Sequence, residues 1–506
     1  MTLDLLATPF APPPTASWTA LATTRRVPAR EALRPAFLAE GPAAARLAQL
    51  LGGEALCVTT GQQPGLFLGP LYTVYKALSA VALAEHLERI LHQPVVPVFW
   101  VAGDDHDFLE SAQTFTLSAA GDVARLALPE RAADAPLTPM YREPLGRAVL
   151  GLLAEFWETQ PPTEFRPAVE AWLARHYVPD HTVADAFAGA VAELLGPVGV
   201  VVFRPTHPAA KTAMAPQLLR SLELAASIDG RLADRAATMA AAGKPAPVPV
   251  GEGASLVMLE GAAGRDRLLM EDGTFHLRRS GERFSLEELA RVADRSPERL
   301  SPNVLLRPVV EAALLPTVAY VGGPGELAYL PQCAPIYEAL GIAPQVPVPR
   351  WSGVVLETRT RKVLEKYGFA IDDLRLAEGQ LEQRLVRGEL PPEALAAFGS
   401  LQETLEREYD VLRDAAVAVD PTLRKPVESA RNAALAGIRD VEKRLLSHLK
   451  QRNDTLVQQL ARTRAALFPL TKPQERILGV PPFLTRYGDG FLTTVLDAVR
   501  QWVARP

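Results

Sequence analysis

Cysteine is nearly missing from this chain. Of 506 residues only Cys57 and Cys333 carry a thiol, far apart and each in an apolar setting. Two such residues suit small core positions and cannot build a four-ligand structural zinc site. Net charge is also scarce: 53 basic against 58 acidic side chains leave −5. That excludes a global basic face for nucleic acid and a bias towards membrane surfaces. No apolar run approaches the roughly 18 residues of a bilayer-spanning helix, so no membrane partner is expected. The start, Met1-Thr2-Leu3-Asp4, has no basic stretch, and Pro12-Pro13-Pro14 interrupts anything like a secretion signal. The expected compartment is the cytoplasm. Both common phosphate-loop spellings are absent as well, the GxGxxG spacing and a closing Gly-Lys-Ser/Thr.

What is present is ordinary globular composition, 48% apolar and 22% charged. The length calls for two or three domains. Short apolar runs at Ala55 to Val58, Val95 to Val101, Val198 to Phe203 and Thr317 to Val321 alternate with helical sequence. Continuous rather than alternating hydrophobicity marks strands buried on both faces, so the fold class is α/β with a parallel sheet. Nearly 100 residues separate the second and third runs, and a further stretch from about 210 to 300 separates the third and fourth. Each gap reads as an insertion. The later one passes through Lys244-Pro245-Ala246-Pro247-Val248-Pro249 into a hairpin with an Asp272-Gly273 turn.

Beyond Trp351 the pattern changes. Phe398, Leu401, Leu405, Tyr409, Leu412, Ala416 and Val419 recur by threes and fours, as do Val427, Ala430, Ala434, Ile438, Val441, Leu445 and Leu449. Charges fill the rest. These are long helices with a narrow seam, and Asp420-Pro421 and Lys425-Pro426 bracket a break that folds them into an antiparallel hairpin whose first arm is about 40 Å long.

Three strand–loop units carry polar or glycine-rich tips. In the first, Thr59-Thr60-Gly61-Gln62-Gln63-Pro64-Gly65 leads through Gly69-Pro70 to a helix containing Tyr72 and Lys76. Glycine allows close backbone approach, and free N–H groups at a helix start favour anions, so this is either a phosphate cradle or a tight packed turn. The second tip, Gly103-Asp104-Asp105-His106-Asp107, offers carboxylates for a metal, a ribose or an ammonium, and an imidazole for proton transfer. The third is Gly322-Gly323-Pro324-Gly325-Glu326. Upstream of it, Asn303 and Arg307 interrupt an apolar stretch, and a buried Arg307 needs an anion from the fold or from a ligand.

These blocks resemble those of a known family, the cysteine ligase of bacillithiol biosynthesis. Thr60 to Phe67 with Gly69 to Tyr72, Pro97 to Phe108, Ser301 to Pro308, Tyr320 to Glu326, Gln474-Glu475-Arg476 and Arg486-Tyr487-Gly488 carry the likeness along essentially the whole chain. The resemblance implies that L-cysteine is joined to the amine of glucosaminyl malate. It implies a Rossmann-like nucleotidyltransferase-type core over 1–350, with connecting insertions at about 121–195 and 210–300. It further implies an α-helical coiled coil over 351–470, a segment 471–506 packing back on the core, and a homodimer formed through the coiled coil. With it, Asp104, Asp105, His106 and Asp107 are expected to be catalytic. Thr60, Gly61, Gln62, Gln63, Gly65, Tyr72, Asn303, Arg307, Gly322, Gly323, Gly325 and Glu326 are expected to bind substrate. Arg350, Trp351, Ser352, Arg486, Tyr487 and Gly488 are expected to hold a nucleotide, ATP or ADP, through arginines and aromatic faces. Mg²⁺ on the aspartates is conceivable and zinc is not expected. Neither the His-x-Gly-His nor the Lys-Met-Ser-Lys-Ser loop of related synthetases is present. Two other readings stand beside this one: a metal-dependent phosphoryl or nucleotidyl transferase on the aspartates, and a nucleotide-sensing coiled-coil adaptor.

Overall fold

The structure, a computed structural model, describes residues 3–12, 16–25, 30–251, 253–376, 379–381, 384, 390–452 and 454–505. Met1, Thr2, Pro13 and Pro14, singled out above, lie outside them. The described chain divides into two compact units, 1–356 with 472–506, and 357–471.

The larger unit is built on one sheet. Its strands begin with β1 (Phe37–Leu38), β2 (Leu56–Gln62), β3 (Val95–Val101) and β4 (Val201–Phe203). The chain then leaves for an antiparallel sheet of β5 (Ala254–Gly261), β6 (Gly264–Glu271), β7 (Thr274–Leu277), β8 (Arg283–Phe284) and β9 (Leu300–Pro302). It returns as β10 (Thr317–Gly322) and β11 (Val346–Pro349). The central order is β11-β10-β2-β3-β4-β1, parallel except for β1, which runs antiparallel to β4. Every residue of β3 and β10 is buried, which explains the unbroken apolar runs. The apolar run ends at Val58, but β2 continues past it through Thr59, Thr60 and Gly61 to Gln62. Thr60 Oγ1 donates to the Val321 carbonyl of the neighbouring strand (2.8 Å). A β-carbon on Gly61 would stand 2.9 Å from the Trp100 carbonyl oxygen, so only glycine lets β2 and β3 stay paired there.

Helix α1 (Tyr72–Leu91) covers this sheet, and α2 (Pro208–Glu223) opens the second insertion. The hairpin of β6 and β7 turns at Asp272 and Gly273, both at positive φ (50° and 76°), the pairing a two-residue turn requires. Helix α3 (Arg307–Leu314) precedes β10, and α4 (Pro324–Tyr329) follows it.

The smaller unit contains the helical hairpin α5 (Pro392–Val419) and α6 (Arg424–Arg452), joined by a turn at Pro421–Leu423. Arg431 pairs with Glu406 and Asp410, and Leu446 packs with Leu390 and Leu395, which makes the arms antiparallel. The seam on α6 differs from the expected one. Leu435 and Leu446 are its buried leucines, whereas Val441 and Leu445 face outward.

Candidate functional site

The carboxyl ends of β2, β3 and β10 lie side by side in the sheet, and all three polar loops open there into one cavity of about 960 Å³. Ligands in open α/β sheets bind at this edge. The far wall comes from β5 and β6 of the inserted sheet.

The acidic loop is divided among different tasks. Asp104 is buried and paired with Lys211 Nζ (2.5 Å), which also donates to the Leu300 carbonyl (2.8 Å). Asp105 faces the cavity; its Oδ2 accepts from Gln63 Nε2 (2.5 Å) and its Oδ1 from the Asp107 N–H (2.9 Å). Asp107 caps the short helix Phe108–Ser111 by accepting from the Glu110 N–H (3.1 Å) and does not line the cavity. That corrects its expected place among the catalytic groups: the cap fixes the side chain on the helix. No group of three or more His, Cys, Asp or Glu side chains among the described residues is arranged to hold a metal ion. Asp104 is engaged by Lys211 and Asp107 by its helix cap, so the three aspartates do not act as one carboxylate cluster.

His106 lines the cavity with Arg265 Nη1 at 3.3 Å from its Nδ1. A guanidinium can only donate, so Nδ1 accepts and the neutral ring carries its proton on Nε2. Burial, then the Arg265 charge, lowers the His106 pKa below its usual value, against the opposing pull of Asp105 and Asp107. His106 is thus a neutral N–H donor at working pH. Arg265 itself is anchored by Ser301 Oγ and the Pro302 carbonyl, both at 2.8 Å.

The glycine loop is not a phosphate cradle beyond its first residues. Gly61, Gln62 and Gln63 line the cavity, but Thr60 and Gly65 do not. The N–H groups expected to face an anion have partners: Leu68 N–H donates to Tyr177 Oη (2.9 Å), Gly69 N–H to the Leu66 carbonyl (2.9 Å), and Leu71 N–H to the Leu478 carbonyl (2.8 Å). Gly65 packs against Gly69, where an added β-carbon would sit 3.0 Å from the Gly69 Cα. Here the tight-turn alternative is what the chain adopts.

The cavity floor is a buried charge network. Lys76 Nζ donates to the Gly61 carbonyl (2.7 Å), to Gln62 Oε1 (3.0 Å) and to Glu326 Oε2 (2.5 Å). Burial alone would raise the Glu326 carboxyl, but the Lys76 ammonium overrides it and its pKa ends below the usual range. Glu326 also accepts from the Gly323 N–H (2.8 Å) and from the Tyr320 hydroxyl, tying β10 to α4. Gly323 and Gly325 line the cavity; Gly322 does not. Gln62 donates to the Tyr72 hydroxyl (3.2 Å). Arg307 is answered by the fold: its Nη1 pairs with Glu311 (2.8 Å), which also accepts from Thr59, and its guanidinium lies 4.9 Å from the Tyr320 ring. Asn303 Oδ1 accepts from the N–H groups of Leu305 and Leu306 (3.0 Å each), holding the turn into α3.

The residues expected to hold a nucleotide clamp the chain to itself. Arg350 forms a bidentate pair with Glu475 (2.9 and 2.6 Å), and Ser352 Oγ donates to the same carboxylate (2.6 Å). Trp351 is wholly buried against Tyr75, with ring centroids 4.9 Å apart. Arg486 donates to the Leu117 and Ser118 carbonyls (3.0 and 3.2 Å), Tyr487 is buried, and a β-carbon on Gly488 would strike the Phe165 ring. Only Arg350 of these six reaches the cavity wall. The cause is plain: the Glu475 carboxylate and two backbone carbonyls take the guanidinium contacts that a nucleotide was expected to make.

Lys211 and Arg265 stand outside the sequence-based expectations, and Lys76 enters them only as part of the helix after the glycine loop, with no role. Lys76 and Lys211 each interrupt an apolar helical face, the same signal that drew attention to Arg307.

A family model described as "Bacillithiol biosynthesis BshC, N-terminal Rossmann-like domain" matches residues 36–351, and its C-terminal coiled-coil counterpart matches 353–503. The chain belongs to the BshC family. Relatives of the family bear the name "Putative cysteine ligase BshC". One from Salinibacter ruber is 32% identical, the match covering 88% of this chain and 81% of the relative. Others from Symbiobacterium thermophilum (32%; 89% and 83%) and Koribacter versatilis (32%; 91% and 85%) are alike at similar coverage. Of the blocks that carry the likeness, residues 61–63, 104–106 and 323–326 line the cavity, together with Tyr72, Asn303, Arg307 and Arg476.

Proposed function

We propose that this chain is a ligase that forms the amide between the carboxyl of L-cysteine and the amine of glucosaminyl malate, in the cytoplasm, at the cavity described above. The pairing of Asp105 with a tautomer-fixed His106 at the sheet's carboxyl edge carries the reading, and the names of its BshC relatives support it. Amide formation needs the cysteine carboxylate activated, which a nucleoside triphosphate would supply.

In this reading the Asp105 carboxylate receives the substrate ammonium, orients it and takes its proton. The free amine attacks the activated carbonyl carbon. The C–N bond forms, the activating group leaves with the electrons of the C–O bond, and the proton that the nitrogen sheds goes to that departing group. As charge builds on the carbonyl oxygen, His106 Nε2–H donates to it, a preorganised donor that costs no rearrangement at that moment. Lys76 and Glu326 hold the tips of β2 and β10 in register beneath the reacting groups. The ligase reading is preferred because Asp104 and Asp107 are engaged within the fold, and because Asp105 and His106 present polar groups to the cavity that an adaptor does not need. Bacillithiol content of a deletion strain, with and without this gene restored, tests the reading. Restoration by the wild type and not by Asp105→Asn supports it; an unchanged thiol pool in the deletion strain sinks it.

A further inference from the structure

Three arginines on the inserted sheet have no role in the chemistry above. Arg267 lies on β6, and Arg278 and Arg279 follow β7 directly; all three line the cavity and are exposed. Arg278 donates its backbone N–H to the Arg267 carbonyl (3.0 Å), so the two lie across from each other just past the Leu268–Leu277 pair. Like charges facing across paired strands oppose folding. The carboxylate nearest in sequence does not relieve them. Asp266 is buried, and its two oxygens accept the backbone N–H groups of Arg267 (2.7 Å) and Arg279 (2.6 Å) instead. Among the described residues, no side-chain hydrogen bond or ion pair engages any of the three guanidinium groups. Asp266 therefore fixes the backbone of a cationic cluster without neutralising it.

We propose that Arg267, Arg278 and Arg279 form the subsite for the carboxylates of the amine-bearing substrate, and so select a small dicarboxylate over a neutral amino sugar. Guanidinium forks match carboxylates in pairs, and three of them suit a ligand with two. The cluster sits on the His106 side of the cavity: Arg279 is near enough to help lower the His106 pKa, whereas Arg476, on the C-terminal segment, acts on Tyr72 and Glu110. An anion held by the inserted sheet thus brings its amine to Asp105. Which acid is bound rests on the ligase reading; the presence of a dicarboxylate subsite does not.

The test is calorimetry on the full chain and on Arg267→Gln/Arg278→Gln/Arg279→Gln, titrated separately with glucosaminyl malate, L-malate and ATP. These side chains are exposed and unbonded and their charges repel, so the melting temperature should not fall and should rise slightly as the repulsion is relieved. The expected result is at least a tenfold rise in Kd for glucosaminyl malate and L-malate, with ATP binding unchanged. Loss of ATP binding with malate binding intact overturns the proposal and gives the cluster to phosphates. Unchanged binding of all three also overturns it. If the wild type binds L-malate through this cluster yet makes no amide, the ligase reading fails and the subsite stands. If the variant makes amide with an unchanged KM for glucosaminyl malate, the subsite fails and the reaction stands.

Discussion

Asp105 and His106 are neighbours in the chain but are held by different elements, Asp105 by Gln63 from the loop after β2 and His106 by Arg265 on β6 of the inserted sheet. Asp105→Asn keeps the shape; its oxygen can still accept from the Asp107 N–H while the Gln63 amide turns over to accept from the new NH2, so stability should change by no more than about 0.5 kcal/mol while amide formation is lost. Fluorescence melting beside a turnover assay checks both halves. For His106 the sign follows from its lowered pKa. The unfolded chain binds the proton more readily, so the stability from this group is complete above about pH 6.5 and declines as pH falls through that value towards the folded pKa. Activity should fall on the same side, as protonated Nδ1 repels Arg265. The acid limb of kcat/KM should lie below about 6.5 and move to higher pH in Arg265→Gln, because removing the cation raises the ring pKa. Lys76→Met acts differently. It strands Glu326 beneath the cavity, and breaking a buried pair this way should cost about 3–5 kcal/mol, read by denaturant unfolding.

Elements were legible where their chemistry is local. The apolar runs of β3 and β10 announce strands buried on both faces, and Asp272-Gly273 announces a hairpin turn because that turn needs two positive φ angles. Loop chemistry settled by distant residues was not legible. The glycine loop has the composition of an anion cradle, yet Tyr177 and the Leu478 carbonyl occupy its N–H groups. Arg350 and Arg486 have the composition of a phosphate site, yet Glu475 and two backbone carbonyls take that place. Of the candidate site, the loop tips could be read because each follows its own strand, while Lys76, Lys211 and Arg265 gain meaning only from partners on other elements. The Arg350–Glu475 clamp makes a prediction at this scale. Arg350→Ala and Glu475→Ala should each be strongly destabilising, and the double variant should be less than additive in urea unfolding, because either single change leaves a buried charge unpaired. ADP titration of Arg350→Ala tests whether a nucleotide depends on this clamp; the geometry predicts unchanged affinity.

At the scale of the whole molecule, α5 and α6 keep Leu401, Val411, Leu412, Val441 and Leu445 exposed even after the hairpin has formed its own seam. A second apolar strip on arms of 28 and 29 residues is what a further helical surface would cover, and a second copy of this chain is the proposed partner. Light scattering should report a dimer for the full chain and a monomer once residues 393–465 are removed; a dimer that survives the deletion places the contact elsewhere. No helix among the described residues is long and apolar enough to cross a membrane. The central claim, that the cavity joins a cysteine carboxyl to an amino-sugar amine, is tested most directly by mass spectrometry of the purified chain incubated with L-cysteine, glucosaminyl malate and ATP. The account predicts a product with the mass of the two substrates less one water, made by the wild type and absent with Asp105→Asn. Equal product from both proteins, or nucleotide hydrolysis with no condensed product from the wild type, would contradict it.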